Sequence, residues 1–172
     1  MHRLLAILNA TRDGDLDALR ALFEGDAAFP NVRDECGDTV LAHAIDQGPL
    51  ALVAALLELG AEADFDGAGG FPALFAAIDR PAPDRHEVLR MLMDAGADVE
   101  HRGVNDWTPL HFAANRDDAE AMRILLARGA DPRARTRIDH YDTPLDEAER
   151  RRSAAAAAVL REWIEHHPSP PP

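Results

Sequence analysis

Leucines recur along this 172-residue chain in pairs, with polar and small residues separating the pairs at a nearly constant beat. The first members are Leu41, Leu74, Leu110 and Leu145, spaced by 33, 36 and 35 residues. The second members are Leu56, Leu92, Leu125 and Leu160, spaced by 36, 33 and 35. Within a pair the separation is 15 residues, except for Leu74 and Leu92, which are 18 apart. Such a cadence predicts one supersecondary unit used repeatedly, with two short helices per unit, neither able to bury its apolar side alone. Stability must then come from each unit covering the next.

The residues between the leucines punctuate these helices. Thr39, Thr108 and Thr143 stand where a helix N-cap is needed, and Pro109 and Pro144 fill the first helical position, where no N–H is lost. Ala44, Ala77, Ala113 and Ala148 are small enough to let first helices of neighbouring units approach closely. Gly60, Gly96 and Gly129 follow the second helices, where a left-handed residue ends the helix. The three extra residues of the third unit fall in Arg80-Pro81-Ala82-Pro83-Asp84, because proline prevents helix continuation there. Two more enter around Thr136 to Tyr141, and loops absorb them because closure cost rises slowly with length.

The clearest copy reads Thr108-Pro109-Leu110-His111-Phe112-Ala113-Ala114, then Ile124-Leu125-Leu126, then Gly129-Ala130-Asp131. It resembles the ankyrin repeat, with its T-P-L-H-x-A opening and period of about 33 residues. The resemblance implies an all-α, ankyrin-type solenoid of about five stacked helix-turn-helix repeats with β-hairpin-like connecting loops. One domain over residues 1–166 is expected, with repeats near 1–36, 37–69, 70–105, 106–140 and 141–166. The first and last copies are looser, as capping repeats are. Arg150-Arg151-Arg152 and Ser153 through Ala158 read as the C-terminal cap, and residues 167–172 as a disordered Pro-rich tail.

The same resemblance implies protein binding through the hairpin tips and the concave ends of the first helices. Carried over position by position, the candidate contact residues are Asp38, Phe71, Val104, Asn105 and Trp107 at tips. At helix ends they are Asp46, Gln47, Asp79, Arg80, Asn115 and Arg116. Further tip positions are Glu35, Cys36, Ala68, Gly69 and the stretch from Ile138 to Asp142; further helix-end positions are Arg12, Asp13, Arg150 and Arg151. Trp107 fills a position that normally points outward in this family. It either anchors a partner, as aromatics do at interface hot spots, or folds down over the insertion of the third unit. His111 is the family histidine, whose imidazole bridges hairpin and helix backbone.

Composition narrows the partner. The net charge of -13 argues against nucleic acid and anionic membrane and favours a basic protein. Residues 1–100 hold 19 acids against 7 arginines, whereas residues 101–172 hold 12 against 11. The late arginines could grip an anion, but pairing with Asp142, Asp146, Glu147 and Glu149 is the simpler expectation. All 18 basic residues besides histidine are Arg, as a GC-rich bacterial genome would encode. A single cysteine, Cys36, excludes an intramolecular disulfide and suits a reducing compartment. The apolar run Leu4–Leu8 is too short for an export signal and reads as a first helix. A cytoplasmic monomer is expected.

No catalytic, cofactor or metal site emerges. The eight histidines show no metal-ligand spacing, G-x-x-x-x-G-K-[ST] and G-x-S-x-G are missing, and Gly67-Ala68-Gly69-Gly70 opens onto Phe71-Pro72 as a turn. Three functions remain: an adaptor or inhibitor that engages a protein, an immunity-type inhibitor of a basic toxin or nuclease, and an enzyme with an unrecognised acid-based site.

Overall fold

A computed structural model describes residues 2–67, 69–138 and 141–167. The expectations attached to Ala68, to His140 and to tail residues 168–172 lie outside the described residues. The chain forms two compact units, Met1–Ala97 and Asp98–Pro172. Among the described residues there are ten α-helices and one short hairpin. No helix there is long and apolar enough to cross a membrane.

The first unit contains three helix pairs: α1 (His2–Asp13) with α2 (Leu16–Leu22), α3 (Val40–Gln47) with α4 (Leu50–Glu58), and α5 (Ala73–Asp79) with α6 (Arg85–Asp94). First helices pack on first helices, α1 on α3 and α3 on α5, while α4 packs on α6. Strands β1 (Asp66–Gly67) and β2 (Phe71–Pro72) form the hairpin, antiparallel with Gly67 opposite Phe71. Elsewhere the tip is reduced to a single bridge between Arg33 and Thr39. The second unit contains α7 (Pro109–Asn115) with α8 (Ala119–Ala127) and α9 (Pro144–Arg151) with α10 (Ala154–His166), with α7 against α9 and α8 against α10. Its first tip, Val104–Asp106, is a tight turn with Asn105 and Asp106 in the left-handed region at φ +59° and +58°.

The leucine cadence is the core. Leu41, Leu74, Leu110, Leu56, Leu92, Leu125 and Leu160 are all buried, and Ala44, Ala77, Ala113 and Ala148 are wholly so. Leu145 is the exception: it is only half-buried, because α9 carries a thinner apolar face than its predecessors. Thr39 caps α3 through the Ala42 N–H at 3.2 Å, and Thr143 caps α9 through Asp146 N–H at 3.2 Å. Gly60, Gly96 and Gly129 take φ of +87°, +102° and +92°, the left-handed termination expected of them.

His111 is buried and does what its family position implies. Its Nδ1 accepts the Thr108 N–H at 3.3 Å, and its Nε2–H donates to the Asp142 carbonyl at 3.0 Å, joining α7 to the following tip. Burial pushes its pKa below the ordinary value of 6.5. Protonation would place a hydrogen on Nδ1, facing the Thr108 amide.

Two stability experiments follow. Leu110→Ala should lower unfolding free energy by about 2–5 kcal/mol in urea titrations, and Leu145→Ala by distinctly less, because its environment is already part solvent. Since the folded His111 prefers the neutral form, its contribution is complete above pH 6.5 and is lost as pH falls below that value toward the depressed folded pKa. His111→Asn should remove that slope from the pH dependence of stability. An unchanged slope would mean the imidazole is not held neutral.

Candidate protein-docking surface

Tip geometry is set by arginines. Arg33 Nη1 donates to the Gly37 carbonyl of its own tip at 2.7 Å and to the Asp66 carbonyl of the next at 2.8 Å. In the second unit Arg102 Nη1 repeats the arrangement, reaching Asp106 O at 2.9 Å and Arg135 O at 3.0 Å. Arg135 then holds its own tip through Tyr141 O at 2.8 Å. Sequence reasoning passed over Arg33 and Arg102 and read Arg135 only as one of the late arginines expected to pair with acids. The signal was a fixed offset: Arg33 and Arg102 each stand six residues before the capping threonine, and Arg135 eight before, the difference being the two-residue insertion. Asn31 and Glu100 stitch neighbouring loops in the same way, accepting the amides of Glu62 and Asp131, each at 2.8 Å.

In the first unit, Asp46 and Asp79 are exposed at the ends of α3 and α5, and Gln47 is half-buried. Asp38 is half-buried in a tip organised by Asp34, whose carboxylate accepts the Cys36 and Asp38 amides at 2.7 and 3.1 Å and meets His43 Nε2 at 2.7 Å. Burial raises the Asp34 pKa, but these hydrogen bonds outweigh it and hold the carboxyl below its usual range. Phe71 is half-buried, edge-on to Phe75 at 5.7 Å.

Arg80 corrects the expectation. Its side chain is only 3% exposed and cannot present itself to a partner. It donates to the carbonyls of Ala44 (3.2 Å), Ile45 (2.5 Å) and Gly48 (2.8 Å), and pairs with Asp84 at 2.7 Å. The Ala44 carbonyl also accepts the Gly48 amide at 2.9 Å, so Arg80 shares it and adds a donor for the Ile45 and Gly48 carbonyls, where a cation also complements the helix dipole. The residue that the insertion brings in is therefore a cap for the preceding repeat.

In the second unit, Val104 and Asn105 are exposed, with Asn105 in the left-handed region at φ +59°. Trp107 is half-buried: its ring rests tilted against Phe112, centroids 6.4 Å apart, and the remainder meets solvent. The exposed Arg116 sets its guanidinium 5.1 Å from the same Phe112 ring. Asn115 is half-buried and donates to Glu147 at 2.7 Å. Glu147 is fully buried and also accepts from Arg150 and Arg151, while Arg150 reaches Asp142 at 2.7 Å. Arg150 and Arg151 thus pair with acids, as the simpler reading of the cluster had it. Asp106 binds Arg137 at 2.7 Å and Arg102 at 2.9 Å, and the Arg137 hydrogen bond foremost draws its pKa down to about 2. Among the described residues no group of three or more His, Cys, Asp or Glu side chains is placed to hold a metal ion.

Residues 7–103 match the family model for ankyrin repeats (3 copies), and residues 89–148 match that for ankyrin repeats (many copies). The chain belongs to the ankyrin repeat family. Among curated relatives it is 32% identical over 121 residues to a putative ankyrin repeat-containing protein of Treponema pallidum, covering 70% of this chain and 39% of that one. It is 33% identical over 123 residues to a probable E3 ubiquitin-protein ligase of Oryza sativa, covering 70% and 24%. It is 30% identical over 128 residues to mouse protein phosphatase 1 regulatory subunit 27, covering 74% and 76%. The chain thus spans well under half the length of the first two. Ankyrin repeats mediate protein–protein interaction.

Arg80→Ala should lower stability by about 1–3 kcal/mol, because it takes the arginine donor from the Ile45 and Gly48 carbonyls. The measurement is chemical denaturation. A stability change under about 0.5 kcal/mol, as a surface substitution gives, would contradict the capping role.

Proposed function

We propose that this chain is a non-enzymatic protein-binding module, an adaptor or inhibitor that engages a protein through its tips and first-helix ends. The observation that carries the proposal is Trp107. A large aromatic ring lies half-buried at a tip, steadied by Phe112, and the exposed Arg116 rests on the same Phe112 ring. Aromatic and arginine side chains fixed in advance contribute most to interface energy, because little conformational entropy is lost on binding. The mouse phosphatase regulatory subunit, matched over most of its length, supports a regulatory rather than catalytic role.

A narrower reading has its own support. Asp46 and Asp79 are exposed at consecutive first-helix ends, within a stretch of 100 residues carrying 19 acids and 7 arginines. A basic partner, such as a toxin or nuclease held inactive, would be steered to that field. A toxin gene beside this one, and association that slows as salt rises, are the expected findings.

The experiment for the main proposal is affinity capture from the source organism's lysate, comparing wild type with the Trp107→Ala, Asp38→Arg double variant. Both residues are half-buried, so a thermal melt establishes that the variant is folded at the temperature of capture. The partner should be recovered with wild type and lost with the variant. Equal recovery of the same protein by both would dismiss this surface.

A further inference from the structure

In the first unit a cavity of about 130 Å³ lies between the start of α1, the end of α2 and the entry to the first tip. Leu4 and Ile7, one turn apart on α1, line it together with Phe23 and Val32. Ile7 and Phe23 are core residues, 2% and 5% exposed, and Leu4 and Val32 are half-buried. Phe23 is held in place by Phe29, stacked on it with ring centroids 5.6 Å apart.

Four charged residues complete the lining, and three of them are tied down by bonds of their own. Arg3 sets its guanidinium 4.6 Å from the centre of the Phe23 ring and donates to the Leu22 carbonyl at 3.2 Å. Arg33 engages Nη1 on the Gly37 and Asp66 carbonyls. Asp34 is turned into its own tip, accepting the Cys36 and Asp38 amides and meeting His43. The fourth, Glu35, is exposed.

The chemistry of a guest follows from these walls. Among the described residues every buried side-chain nitrogen and oxygen already has a hydrogen-bond partner, so the walls offer water little to hold. Two arginines and two acids offset one another, which favours a neutral guest over either sign of charge. Size sets an upper limit, since a cavity of about 150 Å³ lined by Leu, Ile and Phe admits benzene. Phe23 in the wall favours a flat ring, because aromatic rings pack offset or edge to face.

We infer that this cavity receives a neutral, benzene-sized ring, the side chain of a phenylalanine on the partner protein. The inference rests on the protein-binding reading above and adds the chemistry of one anchor. Val32 to Glu35 belong to the tip that carries Asp38, so the cavity adjoins a contact position of the proposed surface. An apolar side chain that enters a walled pocket inside a charged rim is shielded from water, the arrangement of an interface hot spot.

The test is methyl NMR on the full chain, with toluene and N-acetylphenylalanine amide as probes. Both should shift the methyl signals of Leu4, Ile7 and Val32 before any others. Benzoate and benzylamine should bind about tenfold or more weakly than toluene, because a charge would lose its water. Val32→Phe puts the chain's own ring into the cavity and should weaken both probes by about tenfold or more. Val32→Leu fills less of the cavity and should weaken them in the same direction; thermal melts establish which variants are folded. No shift at the three residues, benzoate binding as tightly as toluene, or affinity unchanged in a folded Val32 variant would overturn the inference. Toluene binding without N-acetylphenylalanine amide binding would overturn the partner as the source of the ring and assign the site to a free aromatic molecule. Capture of a native partner that depends on Trp107 and Asp38, with toluene leaving the spectrum unchanged, would overturn the inference and leave the proposed function standing.

Discussion

First helices lie against first helices here because an alanine stands at the point of approach. Ala44 and Ala77 in one unit, and Ala113 and Ala148 in the other, are fully buried, and none has a γ atom to hold the axes apart. Close approach lets Leu41, Leu74 and Leu110 fill the space beside them at near-crystalline density. Neither helix of a pair could bury its leucine without the neighbouring pair. Stability in such a stack is therefore a property of adjacent layers and not of one centre. A larger residue at any of these alanines would part the layers and expose the leucines on both sides.

Hydrogen bonds between layers serve register rather than bulk stability. Arg33 and Arg102 each clasp their own tip and the backbone of the next, and His111 ties α7 to the following tip through the Asp142 carbonyl. Two of the buried charges, Arg80 and Glu147, follow the same logic. Each is fully engaged, Arg80 on the end of α3 and Asp84, Glu147 on Asn115, Arg150 and Arg151. Among the described residues no buried side-chain nitrogen or oxygen lacks a hydrogen-bond partner. Burying a charge is tolerable only under that condition. Both charges join consecutive repeats, so removing either would loosen an interface between layers.

Within each unit the layers and tips fix the surface residues, and their chemistry is sorted by position. Asp46 and Asp79 end two successive first helices in one unit. In the other, apolar tips and arginines take their place, with Trp107 braced on Phe112. Rigid presentation matters for recognition, because a partner then need not spend binding energy on ordering the surface it meets.

The repeat, its helix limits and its core were all legible in the residues. Leucine spacing, threonine caps, prolines at the first helical position and terminal glycines are local signals, and each acts within a few residues of itself. The exposed acids at helix ends and the exposed tip at Val104 and Asn105 followed from register alone. What stayed hidden depended on packing that local signals do not carry, for Arg80 with residues more than thirty positions away. Arg80 looks like an exposed helix end until α3 is seen to offer it three carbonyls. Trp107 looks free until Phe112 takes one part of its ring, and Leu145 looks like core until α9 proves too polar to cover it. A charge or ring is buried or presented according to what packing brings to it, from its own repeat for Trp107 and from the preceding one for Arg80, and that is a property of the packed chain.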